Sequence, residues 1–338
     1  MQGNSHALGS SKLWSLDTDT KHATELAAGH IPDKYMFTSH GAICSGVYHT
    51  VSWFLPDVSN PFSRRYSLSS FDLSGNDTFS NSPLPDNYYG VWCSPKDASS
   101  LYMIMSHKTN NSDPLRANKF YVQSLDTTTK EAETLAGPVT APKNEYIPIA
   151  DGVFSFDGVD KFWLSFSVDS DERKGLFHAD RGVTHVLDLS SSDGSHAQYD
   201  TGLEEGYLVM TKAATNKTWG VLKKLSRKDT KLSLSFVDLQ LSGGKIVTSK
   251  LSDALLTANS MGLPGAVCGD TLYTFNTDDY DGPFQMWYNL SALDIHTGLS
   301  LWQMDTLHAL PGSQFAFVTG FACDPRHPWP RSSVIIDD

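Results

Sequence analysis

The sequence predicts an all-β chain built from six repeats of one four-stranded unit, and three observations carry that prediction. The first is a tetrapeptide that recurs. Gly41-Ala42-Ile43-Cys44 returns as Gly90-Val91-Trp92-Cys93, Gly265-Ala266-Val267-Cys268 and Gly320-Phe321-Ala322-Cys323, and in degenerate form as Gly152-Val153-Phe154-Ser155 and Gly206-Tyr207-Leu208-Val209. The six glycines are spaced 49, 62, 54, 59 and 55 residues apart. The second is an apolar residue followed by Asp, at Leu16-Asp17, Phe71-Asp72, Leu125-Asp126, Leu187-Asp188, Val237-Asp238 and Leu293-Asp294, with spacings of 55, 54, 62, 50 and 56. The third is strand-like patterning throughout, in short β-branched or aromatic runs bounded by turn residues. Two unrelated markers in one period of this size mean a repeated supersecondary unit.

The chain opens on Lys12 to Asp17, which ends in the apolar-Asp pair, and continues after a turn with Lys21 to Leu26. These read as the third and fourth strands, C and D, of a unit whose first two strands are missing. The first full unit begins a strand A at Gly41, runs through His49 to Phe54 as strand B, and closes strand C at Asp72. The second begins at Gly90, has Ser99 to Met105 as its next run, and closes strand C at Asp126 before the turn Thr127-Thr128-Thr129. The third has Lys161 to Phe166 and the fourth Leu232 to Val237 as their clearest strands. The fifth runs from Gly265 through Thr271 to Asn276, Leu293-Asp294, a turn at His296-Thr297-Gly298 and a last strand, Gly298 to Met304. Gly320 to Cys323 and Ser332 to Ile336 then supply the A and B strands that the opening unit lacks. Only Ser252 to Asn259 looks helical, and it is too short to anchor a layer.

Four antiparallel strands per unit, repeated radially, make a β-propeller blade. The fold expected is therefore a six-bladed β-propeller forming a single domain over residues 1–338, with blade 6 drawn from 12–30 plus 315–338. Closing the last blade with both ends removes the open sheet edges that invite aggregation.

Composition bounds the function. Hydrophobic residues make up 40% and charged residues 19% of the chain, ordinary values for a globular protein. A net charge of −12 without long runs of one sign argues against nucleic acid as a partner. No apolar run reaches the roughly 20 residues of a membrane helix. The first residues, Met1 to Ser11, are polar and small and carry no signal-peptide core. Four sequons, Asn76-Asp77-Thr78, Asn110-Asn111-Ser112, Asn216-Lys217-Thr218 and Asn289-Leu290-Ser291, point instead to a glycoprotein of the secretory pathway whose signal is not present in this chain.

All four cysteines lie in the repeated tetrapeptide. An even count suits disulfides in a secreted chain. Inner strands of neighbouring blades, however, usually lie beyond the roughly 7 Å that bridging allows. The expectation is thus of reduced, buried cysteines packed between blades. A ring of metal-binding thiolates lacks any C-x-x-C pair or clustered histidine to support it.

Known chemistry motifs are sparse. There is no Gly-x-Ser-x-Gly elbow, no P-loop, no His-Glu-x-x-His and no Gly-x-Gly-x-x-Gly after a strand. Asp279-Tyr280-Asp281-Gly282 matches part of a calcium loop but has Tyr288 where the closing Glu belongs, and Asp169-Ser170-Asp171-Glu172 is equally isolated. Both read as solvated loops, so neither metal nor cofactor is expected. What remains is an aromatic, neutral-polar rim. The loops expected at the channel mouth carry Tyr35, Phe37, His40, Phe62, Tyr146, Phe315 and Trp287 as candidate substrate contacts. Tyr88, Tyr89, Arg64 and Arg65 are the candidate catalytic groups, the tyrosines as a stacking wall and the arginines, with Arg116, as handles for a carboxylate or enolate oxygen. Aromatic residues in such loops are also common as packing between blades.

In architecture the chain resembles secreted six-bladed propellers. Fungi have several, including the fucose-type lectins and the hetero-Diels–Alderases that join tropolones to sesquiterpenes. The lectins repeat an Arg/Glu/Trp sugar site in every blade, and no such trio recurs here. The pericyclase resemblance rests on six blades, length, sequons and the lack of metal or nucleophile motifs, and it carries no catalytic residue across. It implies a cofactor-free enzyme that binds an apolar or aromatic small molecule at the channel mouth and works by positioning and hydrogen bonding. The alternatives are a non-catalytic glycan- or protein-binding propeller and a calcium-dependent lactonase of the gluconolactonase or paraoxonase type. For that last reading the inner strands offer only Glu145, Glu204, Glu205 and Asp270, without a recurring ligand position.

Overall fold

The structure is a computed structural model. It describes residues 13–26, 36–37, 41–57, 63–73, 78–94, 97, 99–106, 119–140, 150–156, 159–168, 181–189, 196–200, 207–214, 217–225, 232–242, 245–254, 265–278, 287–305, 320–323 and 333–337. Every element among them is a β-strand, and every pairing is antiparallel.

The chain opens with β1 (Leu13–Asp17) and β2 (His22–Leu26). Sheet 1 follows with β3 (Met36–Phe37), β4 (Ala42–Cys44), β5 (Val47–Phe54), β6 (Arg65–Asp72) and β7 (Phe79–Leu84). Sheet 2 holds β8 (Asn87–Cys93), β9 (Ser100–Ser106), β10 (Lys119–Asp126) and β11 (Ala132–Thr140). Sheet 3 holds β12 (Ala150–Phe156), β13 (Val159–Val168), β14 (Arg181–Asp188) and β15 (His196–Asp200). Sheet 4 is β16 (Tyr207–Ala214), β17 (Lys217–Leu225), β18 (Leu232–Ser242) and β19 (Lys245–Ala254). Sheet 5 is β20 (Gly265–Cys268), β21 (Thr271–Asp278), β22 (Trp287–Asp294) and β23 (Ser300–Asp305). The last strands, β24 (Gly320–Cys323) and β25 (Ser333–Asp337), return to the start of the chain. Sheet 6 has the order β2-β1-β25-β24, with Leu16 opposite Val334 and Trp14 opposite Ile336. Of the segment that looked helical, Ser252 to Ala254 belong to β19 and pair with Phe236, Ser235 and Leu234 of β18, and residues 255–259 lie outside the described residues.

The apolar-Asp motif ends the third strand at Asp17, Asp72, Asp126, Asp188 and Asp294, whereas β18 runs past Asp238 to Ser242; at three of the five the turn chemistry explains the ending. Asp126 Oδ1 accepts hydrogen bonds from the backbone N–H of Thr128 (2.7 Å) and Thr129 (2.8 Å). Asp294 Oδ1 does the same for His296 (2.9 Å) and Thr297 (2.8 Å), and Asp17 Oδ1 for Asp19 and Thr20 (both 2.9 Å). In each turn the fourth residue after the Asp, Lys21, Lys130 or Gly298, takes a positive φ. A carboxylate that accepts two turn N–H groups is the Asx solution to a tight chain reversal. The Thr129 and Thr128 bonds hold the Asp126 carboxyl below the usual range. At Asp294 burial pushes the carboxyl up, and the bonds from Thr297 and His296 outweigh it.

The repeated glycine has a steric origin at both positions where its surroundings are described. A Cβ at Gly41 would collide with the His49 carbonyl and the Tyr48 ring. Gly90 has φ +63° and lies against the Trp92 ring, at the bulge where β8 slips its register on β9. Both demands exclude a larger residue.

Apolar side chains pack between neighbouring sheets. Val51 and Leu68 of sheet 1 meet Tyr88, Val91, Leu101, Met103 and Met105 of sheet 2. Phe120 and Val122 of sheet 2 meet Phe162, Leu164 and Leu187 of sheet 3, where the Trp92 and Phe162 rings are T-shaped at 4.9 Å. Tyr273, Leu290 and Ala292 of sheet 5 pack on Trp14 and Leu16 of sheet 6, while Leu13 of sheet 6 packs on Ile43, Tyr48 and Phe71 of sheet 1. Strand β12 of sheet 3 lies against β16 of sheet 4. Ser252 Oγ of sheet 4 donates to the Ile295 carbonyl, just past β22 of sheet 5 (2.8 Å).

The cysteine expectation is overturned. Cys44 is bonded to Cys93 and Cys268 to Cys323, so all four are oxidised. Each bridge joins the first strands of two neighbouring sheets or their equivalent, β4 to β8 and β20 to β24, with Cα atoms 5.5 Å apart. The error was one of distance. These strands approach each other to well within bridging range.

Candidate functional site

Among the described residues two places bring chemistry-bearing side chains together, one where sheets 1 and 2 meet and one within sheet 1. The first is the end of these sheets where β5 and β9 finish and β6, β8 and β10 begin. On β5 and β6 the register sets Trp53 opposite Tyr66 and Phe54 opposite Arg65. Alternation then fixes the faces. Val51, Trp53, Tyr66 and Leu68 share the face packed on sheet 2, since Val51, Leu68 and Tyr66 belong to that apolar cluster. Arg64, one residue before the strand, follows the same face: its guanidinium carbon lies 4.2 Å from the centre of the Trp53 ring. That is cation–π distance. Arg65 alternates to the opposite face, is exposed, and pairs across the strand with Phe54. The two adjacent arginines are therefore separated, and only Arg64 reaches the aromatic group.

Arg64 is partly buried, and its Nε is fully buried with no hydrogen-bond partner. Among the described residues it has no carboxylate within ion-pair distance. Tyr89 lies within its electrostatic reach and within that of Tyr66.

Tyr88 and Tyr89 belong to β8, not to the loop before it. Strand A of this sheet starts at Asn87, three residues ahead of the repeated glycine, because Asn87, Tyr88 and Tyr89 find partners in Ser106, Met105 and Ile104 of β9. Tyr88 is only 2% exposed and sits between sheets 1 and 2. Its hydroxyl donates to Gln123 Oε1 (2.8 Å), and Gln123 Nε2 in turn donates to Thr134 Oγ1 (3.2 Å). Burial, then the Asp86 charge, pushes the Tyr88 phenol up to about 12. Tyr89 turns toward sheet 3. Its ring lies 5.8 Å from that of Phe120, its hydroxyl 3.3 Å from Ser106 Oγ, and burial raises its pKa. Tyr88 thus serves the interface of sheets 1 and 2, while the Tyr89 ring packs toward sheet 3 and only its phenol feels the Arg64 charge.

The second place is polar and buried. His49 of β5 is 6% exposed, and its Nδ1 shares a hydrogen bond with Ser70 Oγ of β6 (2.8 Å). Burial, and secondarily the charge of Lys130, lowers its pKa to about 4. On the other face of the same strands Ser52 and Ser69 share a bond of 2.6 Å, with Thr50 and Ser67 buried beside them. Ser52 and Ser69 are bonded to each other on the face of β5 and β6 opposite His49, whose hydroxyl partner is Ser70 alone among these residues.

Of the other predicted contacts, Phe37 lies in β3, which pairs with β5 at Ser52, and Trp287 opens β22 opposite Asp278. Tyr35, His40, Phe62, Tyr146, Phe315 and Arg116 lie outside the described residues, as do both acidic loop motifs and Glu145, Glu204 and Glu205. Asp270 is exposed, with His296 Nε2 3.3 Å away. Among the described residues no three ligating side chains cluster as a metal site would require. Trp53 and Tyr66 were missed by sequence reasoning. The signal was there, because both are the aromatic residues flanking the link from strand B to strand C.

No family model and no curated protein matches the chain. Among solved structures it is similar to a mutant of the Synechocystis apocarotenoid oxygenase, at 12% identity over 87% of this chain and 69% of that one, with a TM-score of 0.46. An ACO/RPE65 chimera matches at 11% identity over 84% and 67% of the two chains, TM-score 0.45. A putative 6-phosphogluconolactonase from Bacteroides uniformis matches at 12% identity over 94% and 87%, TM-score 0.48. Likenesses this distant say nothing of what the chain binds or does.

Proposed function

We propose that the chain is a six-bladed β-propeller, one domain over residues 1–338, which binds an apolar or aromatic small molecule at the end where β5 and β9 finish and β6 and β8 begin. In this reading it is a cofactor-free biosynthetic enzyme, a pericyclase of the hetero-Diels–Alder kind, acting by positioning and hydrogen bonding. Six antiparallel sheets, the sixth shared by both ends, and contacts from each sheet to the next support the architecture. The two disulfides support folding in an oxidising compartment, hence a secreted protein with glycans on its sequons.

The observation that carries the functional reading is the grouping of Trp53, Arg64 and Tyr66 on one face of sheet 1, with the Tyr89 phenol of sheet 2 in electrostatic reach of Arg64. Aromatic faces hold a flat molecule by burial and stacking. A cation among them stabilises oxygen on which negative charge develops. Cycloaddition needs two partners held in reactive geometry, and positioning alone is worth roughly 7–11 kcal/mol of a barrier.

The test is the rate at which an enone or quinone-methide heterodiene combines with an alkene, with the protein present and absent. The expected result is acceleration over background that is lost in Trp53→Leu and reduced in Tyr89→Phe, with circular dichroism unchanged. Binding without acceleration supports a non-catalytic module. Glycan-array binding, or turnover of a lactone that calcium chelation abolishes, overturns the pericyclase reading.

A further inference from the structure

We infer that Arg64 is a carboxylate-binding residue, and that the molecule held at this end of sheets 1 and 2 is an aromatic or conjugated carboxylic acid. The inference rests on the reading of this end as a small-molecule site, and it names the class of molecule.

The argument starts from an imbalance of charge. Arginine stays protonated at any ordinary pH. Taking a guanidinium out of water costs several kcal/mol unless an anion and hydrogen-bond acceptors replace the water. The half-buried Lys161 has Asp188 at 3.4 Å. Arg64 has neither an anion nor an acceptor on Nε. The Trp53 face offsets part of the deficit electrostatically but accepts no N–H bond in the guanidinium plane.

Geometry narrows the missing partner. With one face of the guanidinium covered by Trp53 and its Nε without a partner among the described residues, the in-plane N–H fork is left to match two coplanar oxygens. A carboxylate presents that pair. The surroundings set the rest of the ligand. Trp53 covers the guanidinium, Tyr66 shares its face of sheet 1, and the Tyr89 phenol is within its electrostatic reach; all three are only partly buried. A conjugated body coplanar with its carboxylate continues the same stack, whereas inorganic phosphate or a charged sugar leaves those rings uncovered.

The experiment uses the full chain and isothermal titration with cinnamate, cinnamamide, 3-phenylpropanoate and inorganic phosphate. The parent is expected to bind cinnamate at least about tenfold more tightly than cinnamamide, the order of a lost charge-assisted bond. Arg64→Met should erase that preference, and Arg64→Lys should lose most of it because a point charge does not reproduce the fork. Lys119→Met, which removes an exposed cation at the same end of sheet 2, should leave it intact. Equal binding of acid and amide, equal losses in Arg65→Met and Arg64→Met, phosphate binding tighter than cinnamate binding, or no binding by the parent each overturns the inference. Cinnamamide binding that Trp53→Leu weakens and Arg64→Met does not would sink the carboxylate while leaving the site reading in place. Cinnamate binding unaffected by both variants sinks the two together.

Discussion

Acidification tests the buried interior of sheet 1 through a single side chain, His49. Its imidazole is 6% exposed, shares a hydrogen bond with Ser70, and has a pKa lowered from 6.5 to about 4, mainly by burial and then by Lys130. The sign follows from linkage. In the unfolded chain the ring takes up a proton near its ordinary pKa, whereas the folded protein resists until about pH 4. Above the unfolded value neither state binds the proton, and the contribution to stability is whole. As pH falls from 6.5 toward 4 the unfolded state alone binds it, so stability falls; below the folded value the loss levels off. At roughly 1.4 kcal/mol per pKa unit, the window amounts to about 3 kcal/mol. A domain whose total stability is about 5–15 kcal/mol would lose a substantial share of it.

Urea unfolding at several pH values between about 7 and 4.5 measures this directly. The window lies mostly above the ordinary carboxylate range, and carboxyls held low by turn bonds, such as Asp126 and Asp97, titrate lower still. Their own contribution has the same sign but is lost only as pH drops below the usual carboxylate pKa. His49→Gln, which keeps a polar group opposite Ser70, should flatten the slope between pH 6.5 and 4.5. A variant that loses stability over that range as steeply as the parent would refute the assignment. So would an NMR titration placing the His49 ring near 6.5 in the folded protein.

Four further outcomes follow from packing. Tyr88→Ala removes a buried ring between two sheets and should cost about 3–5 kcal/mol, read as a lower urea midpoint; a stable variant would mean the ring is not core. Opening either disulfide, by Cys93→Ser or Cys323→Ser, should cost about 2–4 kcal/mol, and mass spectrometry of the unreduced chain should find no free thiol. Gly90→Ala forces a side chain into positive φ and the Trp92 ring, so a melting temperature equal to the parent's would contradict the bulge. Deleting residues 1–26 strips β1 and β2 from sheet 6 and leaves the β25 edge open, so the truncated chain should aggregate in light scattering.

The architecture was legible because it is periodic and local. Asp17, Asp126 and Asp294 of the apolar-Asp motif bond to backbone N–H groups two and three residues on, so the sequence carries the signal at one place. The cysteines were misjudged because their pairing depends on how closely β4 approaches β8, a distance between sheets that no local pattern encodes. Tyr88 was misplaced for a related reason. An Asn-Tyr-Tyr run before a glycine looks like a loop, and only its register with Ser106, Met105 and Ile104 turns it into strand. Arg64 and Arg65 were indistinguishable in sequence until Trp53 and Phe54 gave each a face.

Which polar groups belong to the architecture and which to a site is decided by satisfaction of their bonds. The Tyr88 hydroxyl donates to Gln123, His49 is tied to Ser70, and Ser52 to Ser69. Each is a polar group that folding has already accommodated, and each is adequately explained by packing. Arg64 differs in kind. A methionine or leucine in its place would cover Trp53 as well and leave no donor unsatisfied, so stability alone gives no reason for a guanidinium there. Its neighbour Arg65 raises no such question, because it is exposed and water solvates it. The same tripeptide, Arg64-Arg65-Tyr66, therefore holds one exposed cation and one whose buried Nε has no partner among the described residues. That asymmetry sets the order in which the site should be probed. Arg64 comes first and Tyr89 second, while Tyr88 serves as the stability control.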